Sequence, residues 1–121
     1  MNELSLLESL ALRSIDDLEE VVIRSSSARL RTVIINDMKS LDSIAIFSQS
    51  LDVLRINSCI SVRSLHFVCP NLSSLDLISL DSLKDATLEN SIALLKNIAS
   101  LAIQKCPKLK QFVALYFEKL S

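Results

Sequence analysis

The side chains of this 121-residue chain that could do chemistry are one histidine, three cysteines and two close pairs of acids. His66 could serve as a general base or a metal ligand, but either role needs partners, and none stands at ligand spacing. Cys59, Cys69 and Cys106 contain no C-x-x-C pair, so they lack the spacing of a zinc or redox site. The pairs Asp16-Asp17 and Glu19-Glu20 fall at a turn and a strand start, where solvated carboxylates are the simpler reading. The chain has no glycine. A nucleophile elbow, a phosphate-cradling loop and a Rossmann turn all depend on glycine, so those chemistries are not expected. The residues therefore predict no catalytic centre, no metal site and no cofactor.

Charge narrows the partners. The formal net charge is −1 and the isoelectric point about 5.8, which carries no electrostatic footprint for nucleic acid. Arg24, Arg29, Arg31, Lys105, Lys108 and Lys110 are scattered and read as solvated turn residues. No apolar run reaches the ~18 residues of a membrane helix. The start, Met1-Asn2-Glu3-Leu4-Ser5, has no basic region of a secretory signal. An odd number of cysteines without pairing-like spacing fits a reducing compartment, so an intracellular location is expected. On that reading the glycosylation-like triplet Asn71-Leu72-Ser73 is accidental.

The elements that would position these residues announce themselves as a repeat. A phrase, apolar-x-x-apolar-x-apolar, recurs about every eleven residues. The copies are Leu7-Leu10-Leu12, Leu18-Val21-Ile23, Leu30-Val33-Ile35, Leu41-Ile44-Ile46, Leu51-Leu54-Ile56, Val62-Leu65-Phe67, Leu72-Leu75-Leu77, Ile98-Leu101-Ile103 and, more loosely, Leu109-Phe112-Ala114. A fixed period predicts a stacked solenoid, and solenoids are commonly binding scaffolds. The last two apolar positions of each phrase are two residues apart, as on the inner side of a strand. Taken in alternation, the odd phrases begin at 7, 30, 51, 72 and 98, and the even ones at 18, 41, 62 and 109. The expected fold is a mostly β leucine-rich-repeat solenoid of the α/β class, a single domain over 1–121. It has about four to five coils and two parallel strand ladders. In the longest coil, Ile92, Leu95 and Leu88 recur at helical spacing, which predicts one short helix near 89–96 in place of an even strand. Leucine-rich solenoids carry helices on the convex side, so the odd ladder should be concave.

The ninth position after the start of each odd phrase holds Ile15, Met38, Cys59, Leu80 and Cys106, all apolar or cysteine, as an inward-turning corner requires. Cys59 and Cys106 would then sit two coils, ~10 Å, apart, too far for a disulfide.

Two runs, Leu51 to Cys59 and Ile98 to Leu109, look like cysteine-containing leucine-rich repeats. Together with the half-coil spacing and the stretch from Ser82 to Leu101, they resemble the plant F-box proteins with irregular leucine-rich repeats, often followed by an FBD segment. The resemblance covers roughly residues 4–113. It implies a substrate-recognition role in a ubiquitin-ligase adaptor, intracellular and non-enzymatic. Neither an F-box nor an FBD segment is evident here, so the sequence is expected to be the repeat portion only. The phrase Cys106-Pro107-Lys108-Leu109-Lys110 also resembles repeats of plant nucleotide-binding immune receptors, although no phosphate-binding loop accompanies it.

The candidate binding residues are the outward positions of the odd ladder: Arg13, Ile34, Asn36, Val53, Arg55, Asn57, Asp76, Ile78 and Gln104. Arg55 and Asp76 share a position in adjacent coils and are expected to pair. Small residues with apolar anchors suit a protein or peptide partner, and neither nucleic acid nor membrane. The even ladder also reads as apolar outside, at Val22, Ala45, Phe47, Val68 and Val113. Either that side is covered or residues such as Phe47 turn inward. Solenoid ends without caps would expose strand edges, which leaves self-association through the ends open.

Overall fold

The computed structural model describes residues 7–25, 28–84, 88 and 91–109. It is a parallel β-solenoid of about four turns. Among the described residues eight short strands fall in two sheets, alternating from β1 to β7. These are β1 (Ser9–Arg13), β2 (Glu20–Ser25), β3 (Thr32–Asn36), β4 (Ser43–Ser48), β5 (Val53–Asn57), β6 (Ser64–Val68), β7 (Ser74–Ile78) and β8 (Ser100–Gln104). The first sheet has the order β1-β3-β5-β7-β8 and the second the order β2-β4-β6.

The register follows the apolar phrase. Leu10, Val33, Leu54, Leu75 and Leu101 are aligned partners across the five-stranded sheet, and Leu12, Ile35, Ile56, Leu77 and Ile103 form the next row. In the second sheet, Val21, Ile44 and Leu65 align, as do Ile23, Ile46 and Phe67. A strand turns alternate side chains to opposite faces, so these rows all point to one interior. They form a single core cluster with the corner residues Leu30, Leu41, Leu51, Val62, Leu72 and Leu83. Leu7, Leu10, Leu12, Leu101 and Ile103 are only partly buried, because they lie towards the ends of the stack.

Every described strand after the first in each sheet is launched by the same device. One carbonyl of the preceding coil accepts from two successive backbone N–H groups. Glu8 accepts from Arg31 and Thr32, Arg31 from Asp52 and Val53, Asp52 from Ser73 and Ser74, and Ser73 from Ala99 and Ser100.

The exit from each strand of the five-stranded sheet is equally regular. Ser14, Asp37, Ser58, Ser79 and Lys105 follow β1, β3, β5, β7 and β8, and all adopt positive φ, between 53° and 59°. Absence of glycine did not remove left-handed backbone from this chain. The conformation disfavours most residues with a Cβ by roughly 1–2 kcal/mol, yet it recurs because it satisfies the backbone. The N–H of Ser14 donates to the Asn36 carbonyl (3.1 Å), Asp37 to Asn57 (2.9 Å), Ser58 to Ile78 (3.0 Å) and Ser79 to Gln104 (2.9 Å).

The next residue turns inward, as expected, for Met38, Cys59, Leu80 and Cys106. Ile15 does not: it is 41% exposed, since its coil lies at the end of the stack. Sulfur does useful work at this corner. The Ile15 N–H donates to Met38 Sδ at 3.4 Å. The Cys59 thiol donates to the Ile35 carbonyl at 3.9 Å and the Cys106 thiol to the Leu77 carbonyl at 3.5 Å. Buried backbone groups need partners, and the thioether or thiol supplies one within an otherwise apolar core.

The helix differs from its expected bounds of 89–96. Leu88 and residues 91–93 are helical, and a turn follows at Leu94. Leu95 N–H bonds to the Ile92 carbonyl at 3.0 Å, a tighter three-residue closure that ends the helix. The chain must then reach β8 by Ser100. Residues 89 and 90 lie outside the described set. The helix does replace the even strand. Ser91, 1% exposed, accepts the Phe67 N–H on its hydroxyl at 2.9 Å, so the last strand of the second sheet is closed by a side chain. The last even phrase begins at Leu109, which ends a short 3-10 turn, Pro107–Leu109. The rest of that phrase, including Phe112, Val113 and Ala114, lies outside the described residues.

Candidate functional site

The outer face of the five-stranded sheet is a grid of three rows. The first is Ser9, Thr32, Val53, Ser74 and Ser100; the second Ala11, Ile34, Arg55, Asp76 and Ala102; the third Arg13, Asn36, Asn57, Ile78 and Gln104. Neighbours along a row are ~4.8 Å apart. A groove of about 270 Å³ opens over this grid, lined by Arg13, Ile34, Asn36, Arg55, Asn57, Asp76 and Ile78 above Ile56. The structure thus brings together seven of the nine candidate residues. Val53 lies in the first row, outside the groove, and Gln104 continues the third row beside Ile78.

Arg55 Nε lies 3.2 Å from Asp76 Oδ2, with the two side chains 58% and 22% exposed. A pair this open contributes about 0–1 kcal/mol to stability, so its value to the fold is small. Asn57 is more constrained. Its carboxamide oxygen accepts from Ser58 Oγ at 3.0 Å, which leaves its NH2 as the group it presents. Ile34 and Ile78 flank these polar groups as half-exposed apolar contacts. The surface offers a bound chain amide donors, one oriented ion pair and two apolar anchors.

The other candidate chemistry is dispersed. The three thiols are buried. Burial pushes the Cys69 thiol up to about 11, against a pull from the Ser48 N–H, and burial also raises Cys59 and Cys106. Thiolate is the reactive form, so these cysteines are inert packing atoms at neutral pH. Among the described residues no group of histidine, cysteine, aspartate and glutamate is arranged to hold a metal ion. No helix among them is long and apolar enough to cross a membrane.

His66 points outward, as its place in the strand predicts. It meets Phe47 edge-on, with ring centroids 5.6 Å apart at 62°. Phe47 does not turn inward. It stays on the outer face of the second sheet, with the Arg24 guanidinium 4.5 Å above its ring. This stack was not foreseen. The signal was available in the even phrases, where Arg24, Phe47 and Val68 occupy one offset. Acids gather at the opposite end of the same sheet. Glu19, Glu20 and Asp42 line an open groove of about 610 Å³ with Arg63. Arg63 Nε donates to Asp42 at 2.7 Å, and this bond holds the Asp42 carboxyl below its ordinary range.

Fold and surface together define a parallel β-solenoid that displays side-chain rows. Comparisons with protein-family models, with curated proteins and with solved structures find no significant match to the chain.

Proposed function

We propose that this chain is a non-enzymatic interaction module of the leucine-rich-repeat type. It engages a protein or peptide on the outer face of the five-stranded sheet. The observation that carries this reading is the groove itself, where Arg13, Asn36, Asn57, Arg55 and Asp76 converge beside Ile34 and Ile78. A strand face built from short and medium side chains in register leaves room for an extended partner, and its polar groups fix orientation. Likeness to the substrate-recognition repeats of plant F-box proteins makes an intracellular ubiquitin-ligase adaptor the closest functional class.

The test is a double charge reversal, Arg55→Glu with Asp76→Arg. The pair is exposed, so the thermal midpoint should stay near that of the parent chain. Capture of a partner by the intact chain should fall by about tenfold or more, since reversed charges on a binding face penalise the native partner. Undiminished capture would remove this face from consideration.

A further inference from the structure

The outer face of the three-stranded sheet has its own pattern. Its rows are Glu20, Ser43 and Ser64; Val22, Ala45 and His66; Arg24, Phe47 and Val68. On β2 the residues Glu20, Val22 and Arg24 all face out, and Val22 is 50% exposed. Along β2 the face is therefore acidic at one end, apolar in the middle and basic at the other; beside its acidic end Arg63 is taken up by Asp42. The surrounding chain extends this polarity. Asp16, Asp17 and Glu19 precede β2 and are exposed, whereas Arg29 and Arg31 follow it and are exposed. At the basic end an open groove of about 1060 Å³ is lined by Arg24, Arg31, Phe47 and Val68 among others, with no acid in its lining. Among the described residues neither Glu20 nor Arg24 has an ion-pair partner. Arg24 lies stacked on Phe47. A stacked guanidinium keeps its N–H edge available to a carboxylate while losing little further freedom.

We propose that this face is a homodimerisation surface, occupied by a second copy of the chain. The two-fold axis runs along the ladder through the Val22, Ala45 and His66 row. That operation sets the strands of the two copies antiparallel and lays the row that begins with Glu20 over the other copy's row that begins with Arg24. Glu20 then meets Arg24 of the second copy, the reverse contact forms as well, and Val22 and Ala45 meet their counterparts. This is an isologous, closed interface. An acidic partner would match the basic end and be repelled by the other, whereas a second copy matches both. The area decides the strength. Three strands ~4.8 Å apart and five residues of ~3.3 Å give roughly 250 Å² of sheet face. That is well below the ~800 Å² per partner of a standard interface, so association is weak and weakens further with salt.

Sedimentation equilibrium of the intact chain over a range of concentrations tests this. The parent chain should show a monomer–dimer equilibrium that shifts to monomer in high salt. Glu20→Arg and Arg24→Glu should each raise the dissociation constant by about tenfold or more, because each substitution turns both symmetric contacts repulsive. Their unchanged thermal midpoints would establish that both variants fold. An equimolar mixture of the two should recover association, since every cross-interface contact again joins opposite charges. A parent chain that remains monomeric at millimolar concentration would overturn the proposal. So would single variants that associate like the parent, as contact through the solenoid ends would give, or a mixture no better than its components. Binding of an acidic peptide at Arg24 by a chain that stays monomeric would assign the face to another partner and overturn it too.

Discussion

Phe67→Ala should destabilise the fold by about 3–5 kcal/mol, the range for deleting a buried aromatic ring. Phe67 is fully buried and is the largest of the completely enclosed side chains among the described residues. It extends the row Ile23, Ile46 and Phe67 in the second sheet, at the point where strand gives way to helix. A solenoid core is one coil thick, so coils on either side cannot close over the space easily. Phe67→Leu retains most of the volume and should cost markedly less. Urea denaturation of both variants checks the ranking. Stability is close to a sum of coil and nearest-neighbour terms in such folds. A shallower transition in Phe67→Ala would therefore be the mark of N-terminal and C-terminal coils coming apart separately.

Ser91→Ala should cost about 1–3 kcal/mol, the penalty for a buried donor left without an acceptor. In the second sheet each strand normally receives its neighbour's hydrogen bonds. Among the described residues no strand follows β6 in this sheet, and the Ser91 hydroxyl takes the Phe67 N–H in place of a backbone carbonyl. The substitution removes one oxygen atom from a residue that is 1% exposed. Hydrogen exchange separates this effect from general loosening. The Phe67 amide should lose protection in Ser91→Ala, while Leu54 and Ile56 in the other sheet keep theirs. Ser91→Thr retains a hydroxyl and should retain the protection.

The two ladders were legible because their cause is local. A period of two within each phrase selects the inward side, and the intervals of 23, 21, 21 and 26 residues between odd phrases reappear as strand register. The face bearing Arg55 and Asp76 follows from the same arithmetic, and so does their ion pair. What escaped the sequence depends on contacts between coils. Ser91 looks like an ordinary polar helix residue until Phe67, 24 positions earlier, is brought against it. The early end of the helix is also a tertiary effect, because apolar spacing at Leu95 says nothing about the distance left to reach β8. The left-handed corners carry no shared residue type: serine, aspartate and lysine all occupy them. At Ser14, Asp37, Ser58 and Ser79 a cross-coil hydrogen bond supports that conformation, against the preference of each residue alone. The stack of Arg24, Phe47 and His66 likewise needs three strands in register before it exists.

Photocrosslinking tests the central claim, that the five-stranded face engages a partner, most directly. A photoreactive amino acid replaces Val53 in one version of the intact chain and Val22 in another, and each is irradiated in cell extract. A discrete adduct with another protein is expected from position 53, and its loss when Arg55→Glu and Asp76→Arg are introduced together. Position 22, on the opposite sheet, should yield adducts only with a second copy of the chain. A heterologous adduct from position 22 alone, or one from position 53 indifferent to the charge reversal, would contradict it.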